Sequence, residues 1–277
     1  MTDNMLYLRL TALRESVDAD RYPQIVEVID DNLLDGEVDL TAYQMAYALM
    51  EADPAERLPD AAAVLVKEIF LEEAENGNVN AWTNLGALYY TGRIGEQSYE
   101  KAVHYYTLAA DHGELHAMEN LGYCWYYGRT GEVDYKKAYH YFIKGALAGS
   151  INSRYKIGDM YRNGYYVEKD EQLAFRIYND CSRALSDYDT ERFGAAIWLR
   201  LGEAYEKGIG TGRNPEWALI YYQKAEQMFY QKIQNGDYFA KSELDKAIGR
   251  QDALRAELRA ALPAFNWREP VENAARE

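Results

Sequence analysis

His112 and His116 stand four residues apart, the spacing at which two imidazoles on one helix face can share a metal ion. Zinc proteases place such a pair around a catalytic glutamate, whereas here Gly113 follows the first histidine and interrupts the helix. The run Gly208-Ile-Gly-Thr-Gly212 carries the glycines of a phosphate-cradling loop, yet it follows a helical pattern where such loops follow a strand. Cys124 and Cys181 give neither a disulfide framework nor a zinc cluster and read as small, buried, reduced thiols. No nucleophile stands with a base and an orienting acid at recognisable spacing. These residues predict no enzyme, no metal site and no cofactor.

Recognition chemistry is more evident. Asn84, Asn120, Lys156 and Arg200 each stand directly before a Leu-Gly or Ile-Gly pair, so whatever positions one of them positions all four. Side-chain amides hydrogen-bond peptide groups, and Lys and Arg neutralise carboxylates.

Composition limits the partner. The 277 residues hold 30 Lys and Arg against 45 Asp and Glu, a formal charge of -15, which repels nucleic acid and anionic membrane surfaces. The apolar fraction of 48% supports a folded chain. Tyrosine occurs 26 times against 7 phenylalanines, and a ring with a polar tip suits half-exposed helix faces. The N-terminal MTDNMLYLRL lacks a signal-peptide pattern, and Ala61 to Val66 is the longest apolar stretch, so a cytoplasmic location is expected.

The elements that carry the polar column repeat. Ala81-x3-Leu85-Gly86-x2-Tyr89-x2-Gly92 recurs 36 residues on as Ala117-x3-Leu121-Gly122-x2-Trp125-x2-Gly128, and again as Ser153-x3-Ile157-Gly158-x2-Tyr161-x2-Gly164. After eight extra residues near Ser186 to Glu191 a fourth copy appears, Ile197-x3-Leu201-Gly202-x2-Tyr205-x2-Gly208. A second set follows: Ala102, Ala138, Ala174 and Ala218 each precede by four an aromatic, Tyr106, Phe142, Tyr178 and Tyr222. The spacing makes each copy two short helices, with Ala81, Leu85 and Tyr89 on one stripe and Gly86 allowing a neighbouring backbone to approach closely. Helices of about twelve residues, about 18 Å long, are marginal alone and must stack against the next pair.

This pattern, with Lys101-Ala102 and Lys137-Ala138 opening the second helices, resembles the Sel-one-like repeat (SLR) family, relatives of the tetratricopeptide repeat. Leu173-Ala174 and Trp217-Ala218 depart from it. The resemblance implies an all-α fold: an α-solenoid of antiparallel helix pairs in a right-handed superhelix, with about four to five repeats and helical caps. The expected division is a cap at 1–37 with helices at 5–17 and 22–34, a degenerate repeat at 38–79, repeats at 80–113, 114–149, 150–186 and 187–234, and capping helices at 235–262. Two C-terminal helices are expected, Tyr238–Ile248 and Arg250–Leu262, then a flexible tail at 263–277. Gly208 to Gly212 coincides with the family's inter-helix turn, and the repeat equivalents His104 and His140 are expected to have a positional role, at a solvated or capping site on the second helix.

In tetratricopeptide arrays the first helices line a concave groove, and some clamp a peptide's C-terminal carboxylate with Asn, Lys and Arg. The resemblance carries that role onto Asn84, Asn120, Lys156 and Arg200. The rest of their row, about a third of a turn from the Ala81, Leu85 and Tyr89 stripe, adds Asn80, His116, Tyr123, Tyr127, Asn152 and Lys207 as groove candidates, with Asp159 and Glu203 in the same row. A solvated polar face is the alternative reading of that row. Most of the tyrosines are expected in packing between helices, with Tyr123, Tyr126 and Tyr127 the better candidates for contact. The expected function is that of a non-enzymatic bacterial-type adaptor or scaffold binding a protein or peptide in the groove. The alternative is a structural protein that associates with itself into a homo-oligomer.

Overall fold

The computed structural model describes residues 1–34, 37–52, 57–237 and 240–261. It divides into two compact units, Met1–Ser153 and the residues from Arg154 onward. The first unit opens with α1 (Asp3–Ser16) and α2 (Pro23–Asn32), then a short antiparallel pair, β1 (Leu33–Leu34) and β2 (Glu37–Val38), in which Leu33 faces Val38. Helices α3 (Ala42–Glu51) and α4 (Asp60–Glu75) occupy the segment in which the degenerate copy is expected. Helices α5 (Val79–Thr91) and α6 (Tyr99–Asp111) form the next repeat, and α7 (Leu115–Tyr126) and α8 (Tyr135–Leu147) the one after. Helix α9 (Ile151–Asn163) contains the boundary between the units.

The second unit continues with α10 (Glu171–Ala184), a single turn α11 (Asp187–Asp189), a π-helical turn at Thr190–Gly194, α12 (Ala195–Lys207), α13 (Pro215–Gln234) and α14 (Lys241–Ala261). The eight extra residues are therefore a helical lead-in to α12: Ser186 and Asp189 cap α11 reciprocally, and the π turn absorbs the offset before the fourth repeat resumes. At the C-terminus the two expected helices are one. Helix α14 runs unbroken through Gly249, where a Cβ would meet open space, so this glycine neither makes a close approach nor ends the helix. The expected tail at 263–277 and the first residues of the expected helix at 238–248 lie outside the described residues.

Each repeat uses its glycine in one way. A Cβ on Gly86 would sit 2.5 Å from the ring of Tyr106, one on Gly158 2.7 Å from Tyr178, and one on Gly202 2.8 Å from Tyr222; Gly122 stands equally close to Phe142. What the glycine admits is thus the aromatic ring of the following second helix, a side chain where the sequence reading expected a backbone. Tyr106, Phe142, Tyr178 and Tyr222 are all buried.

The second helices start on a device the sequence reading missed. Ser98, Asp134, Asp170 and Asn214 each accept a hydrogen bond from the backbone N–H three residues on. Each also donates its own backbone N–H to the carbonyl of the first helix's aromatic, Tyr89, Trp125, Tyr161 and Tyr205, at 2.8–3.0 Å. Caps of this kind contribute about 1 kcal/mol each. Here they also lock the angle at which the pair closes. The two helix ends at Gly92 and Gly208 need left-handed backbone, φ 74° and 71°, which glycine adopts without a Cβ penalty.

Candidate functional site

The polar column divides by unit. In the first, Asn80 and Asn84 on α5 and His116 on α7 line an open cleft of about 340 Å³ together with Thr83, Glu114 and two rings from α3, Tyr43 and Tyr47. Asn80 is exposed, and Asn84 donates from Nδ2 to the Tyr43 hydroxyl at 3.1 Å. Glu114 is structural: its carboxylate caps α7 by accepting from the His116 and Ala117 N–H groups and takes the Thr83 hydroxyl at 3.1 Å. Burial raises the Tyr43 pKa above its ordinary value, against the Asn84 hydrogen bond that lowers it, so the phenol stays protonated at neutral pH.

Tyr43 and Tyr47 escaped the sequence reading because their segment lacks the Leu-Gly pair that sets the register. Setting Met45-Ala46 in register with Leu85-Gly86 places Tyr47 in the row of Ala87 and Tyr123, and that register was the available signal.

Beyond the cleft, the candidates become progressively committed to the protein itself. Asn120 is half-buried on α7. The Tyr123 hydroxyl donates to Asn152 Oδ1 at 2.6 Å, and Asn152 Nδ2 donates to Glu119 Oε2 at 3.2 Å. Glu119 also accepts from the Ser150 hydroxyl and lies 3.6 Å from His116 Nδ1. Burial alone would raise the Glu119 pKa, but hydrogen bonds from His116, Ser150 and Asn152 outweigh it and hold the carboxyl below its usual range. Tyr123 and Asn152 are therefore parts of a buried network and not of an open face. Tyr127 is half exposed and stacks on Tyr123 with ring centroids 6.0 Å apart, while Arg129 covers it at 5.4 Å. Tyr126 is half-buried and packs edge-on to Tyr135 and Phe142.

In the second unit the expected carboxylate clamp is filled by the protein's own carboxylate. Arg200 grips Asp159 with two bonds, Nε to Oδ1 at 2.5 Å and Nη2 to Oδ2 at 2.6 Å. Lys156 Nζ lies 3.5 Å from Asp159 Oδ2, and the Tyr178 hydroxyl donates to Oδ1 at 2.8 Å. Both cations also lie over the Tyr155 ring, at 5.3 and 5.0 Å. Burial would raise the Asp159 pKa, but the charge and hydrogen bonds of Arg200, followed by Lys156 and Tyr178, bring it below the ordinary carboxylate value. Lys156 is buried enough that desolvation, with the nearby Arg200, lowers it to about 8 despite Asp159. Lys207 lies at the surface, paired with Glu203 at 2.7 Å, and Arg162 takes the other oxygen of Glu203 at 2.7 Å. Lys156 and Arg200 are thus structural; the sequence reading gave them to a ligand because it did not pair them with Asp159.

The groups first weighed for catalysis have structural surroundings. His112 ends α6 with Nδ1 2.8 Å from the Leu108 carbonyl, and His116 opens α7 across the turn. Gly208 to Gly212 forms the α12–α13 turn, and Gly210 packs directly under the Glu171 carbonyl. Cys124 and Cys181 are fully buried, and desolvation pushes both thiols up to about 12. Ellman's reagent should therefore titrate neither thiol in the native protein and both in 6 M guanidinium, since the thiolate is the reactive form. A fast native reaction would contradict the burial of these helices. Among the described residues no helix is long and apolar enough to cross a membrane.

Comparison with known proteins accords with this geometry. The Sel1 repeat family model matches residues 82–114, 115–150, 151–179 and 199–228, the four copies found by their spacing. Among solved structures, a protective antigen present in uropathogenic Escherichia coli strains and displaying an SLR fold is similar, with 26% identity and a TM-score of 0.57. The similarity covers 78% of this chain and 44% of that one, so this chain spans less than half the antigen's length. A Sel1 repeat protein from Oxalobacter formigenes matches at 20% identity and a TM-score of 0.56, covering 81% of this chain and 85% of that one, which speaks for the fold alone. No curated protein matches. Repeats of this kind generally mediate protein–protein interactions. The recurring glycine-and-ring packing, the four matched repeats and the shared fold identify the chain as a Sel1-repeat protein of the α-solenoid class.

Proposed function

We propose that this protein is a non-enzymatic scaffold that holds a segment of a partner protein in the cleft between α3, α5 and α7. The observation that carries this reading is the cleft's lining: exposed Asn80, the side-chain amide of Asn84 and the half-exposed Tyr47 line one open space. Primary amides both donate to and accept from a peptide backbone, and a tyrosine ring supplies apolar area at low entropic cost. The other cations of the column are occupied by Asp159 and Glu203, so recognition in this cleft rests on amides and rings and not on a carboxylate clamp.

The test is capture from the native cell's lysate by wild type and by a Tyr47→Ala/Asn80→Ala/Asn84→Ala variant. Loss of the Asn84–Tyr43 hydrogen bond costs about 1 kcal/mol, so the variant should stay folded. A polypeptide retained by wild type should fall at least tenfold in the variant. Equal retention by both would refute the assignment of binding to this cleft.

A further inference from the structure

The α3–α5–α7 cleft carries negative charge that the protein itself does not neutralise, and that charge names the chemistry of its guest. No Lys or Arg lines the cleft, and Glu114 is its one carboxylate. Among the described residues, every hydrogen bond into that carboxylate comes from a neutral group: the backbone N–H of His116 and of Ala117, and the Thr83 hydroxyl. Glu73, near the end of α4, likewise accepts from a neutral donor, Asn78 Nδ2 at 2.9 Å. Neither Glu73 nor Glu114 has a cation at ion-pair distance among the described residues. The field of Glu73 reaches the cleft wall, where it adds to the burial that raises the Tyr43 pKa.

His116 does not offset this charge. Its Nδ1 stands 3.6 Å from Glu119, whose carboxyl is held below its usual range, against the burial that would raise it, by hydrogen bonds from His116, Ser150 and Asn152. Three carboxylates therefore surround one imidazole, and the sum stays negative even with His116 protonated.

Size limits the guest. The cleft holds about 340 Å³, whereas one turn of α-helix, about 5.4 Å of a cylinder about 10 Å across, fills about 420 Å³. One long side chain with the backbone on either side of it fits, and a helix does not. The walls suit a cation: Tyr47 is 45% exposed, and an aromatic ring attracts a cation placed over its face. The amides of Asn80 and Asn84 bring acceptors for N–H groups, of which a guanidinium has five and a carboxylate none. In the second unit the cations of the polar column are matched by the protein's own carboxylates, Asp159 and Glu203; in this cleft the carboxylates are present and the cation is not.

We propose that the α3–α5–α7 cleft receives an arginine side chain from an extended segment of the partner, with its guanidinium beside Glu114 and over Tyr47. This rests on the reading of the cleft as the partner's site and adds the charge of what enters it.

The probes are C-amidated peptides Gly-Ser-Gly-Xaa-Gly-Ser-Gly carrying the uncharged dye BODIPY at the N-terminus, with Xaa arginine, norleucine or glutamate, titrated against the full chain by anisotropy at 0.15 M salt. The arginine peptide should bind at least fivefold more tightly than the norleucine peptide, and the glutamate peptide should not bind. Glu114→Gln should remove the preference for arginine, and Tyr47→Leu, which keeps apolar bulk and loses the ring, should weaken the arginine peptide at least threefold. Because Glu114 also caps α7, Glu73→Gln serves as a second variant that leaves this cap intact and should weaken the arginine peptide at least twofold. Glu216→Gln makes the same change of net charge at an exposed position on α13 and should leave binding as in wild type. Equal binding of the arginine and norleucine peptides would overturn the inference while leaving the cleft as the partner's site. A partner captured equally by wild type and by the Tyr47, Asn80 and Asn84 variant would overturn both. An arginine preference that survives Glu114→Gln, Glu73→Gln and Tyr47→Leu alike would overturn the inference in favour of bulk attraction to a chain of charge -15.

Discussion

Asp159→Ala should lower the unfolding free energy by about 3–5 kcal/mol, because it removes the one carboxylate that serves buried Lys156 and Tyr178 and part-buried Arg200. Arg200 loses two charge-assisted bonds, Lys156 loses its counterion and the Tyr178 hydroxyl loses its acceptor. The partner substitution should act in the opposite direction. Lys156→Met should be neutral or should stabilise by about 1–3 kcal/mol at pH 7, since desolvation already works against the charged amine and Arg200 alone satisfies Asp159.

The pH dependence separates the two groups. The folded-state pKa of Lys156 is about 8, below the unfolded value of about 10.4, so the unfolded chain binds the extra proton between them and stability gains as pH rises through that window. That gain should vanish in Lys156→Met. The folded-state pKa of Asp159 is depressed, so its contribution is present above the unfolded value of about 3.9 and is lost as pH falls through the folded one. Urea unfolding followed by circular dichroism at pH 3, 7 and 9 measures both effects. A near-neutral Asp159→Ala would show that the network does not form.

Phe142→Ala should cost about 3–5 kcal/mol, the usual range for emptying a fully buried aromatic site. The informative companion is Gly122→Ala, which adds a methyl where the Phe142 ring already lies and should cost about 1–3 kcal/mol through overpacking. The two should be strongly non-additive: in Phe142→Leu/Gly122→Ala the smaller side chain and the new methyl share one space, so the double variant should lose less than the single losses summed. Additive losses in thermal and urea unfolding would mean that the glycine and the ring do not share that space. The same pairing recurs at Gly86 and Tyr106, Gly158 and Tyr178, and Gly202 and Tyr222, so the outcome tests the repeat's packing rule as well as one site.

The repeat was legible because its spacing is a packing rule, and a displacement of 36 residues recurs only if each copy meets the next in the same way. The role of its glycine was not legible: Gly86 and Tyr106 are neighbours in space and not in sequence, and spacing alone does not say whether ring or backbone fills the gap. The π turn at Thr190–Gly194 and the unbroken α14 were missed for a related reason, since helix continuity across an offset or a glycine depends on what packs alongside. At the site, the Lys156–Asp159 pair at i, i+3 was visible on one helix. The closing contact, Arg200 to Asp159, spans 41 residues and turned two apparent ligand contacts into a structural ion network. Tyr47 was overlooked because the segment that carries it lacks the Leu-Gly pair that sets the register.

These corrections move the candidate binding chemistry from the cations of the second unit to the amides and rings of the first. Photocrosslinking tests that shift most directly. With p-benzoylphenylalanine at position 47, irradiated in native-cell extract and analysed by mass spectrometry, the cleft should yield one predominant crosslinked polypeptide. Its yield should fall at least tenfold when Asn80 and Asn84 are replaced by alanine. No crosslink at position 47, or a crosslink indifferent to the two asparagines, would contradict the claim that this Sel1-repeat protein holds its partner in the α3–α5–α7 cleft.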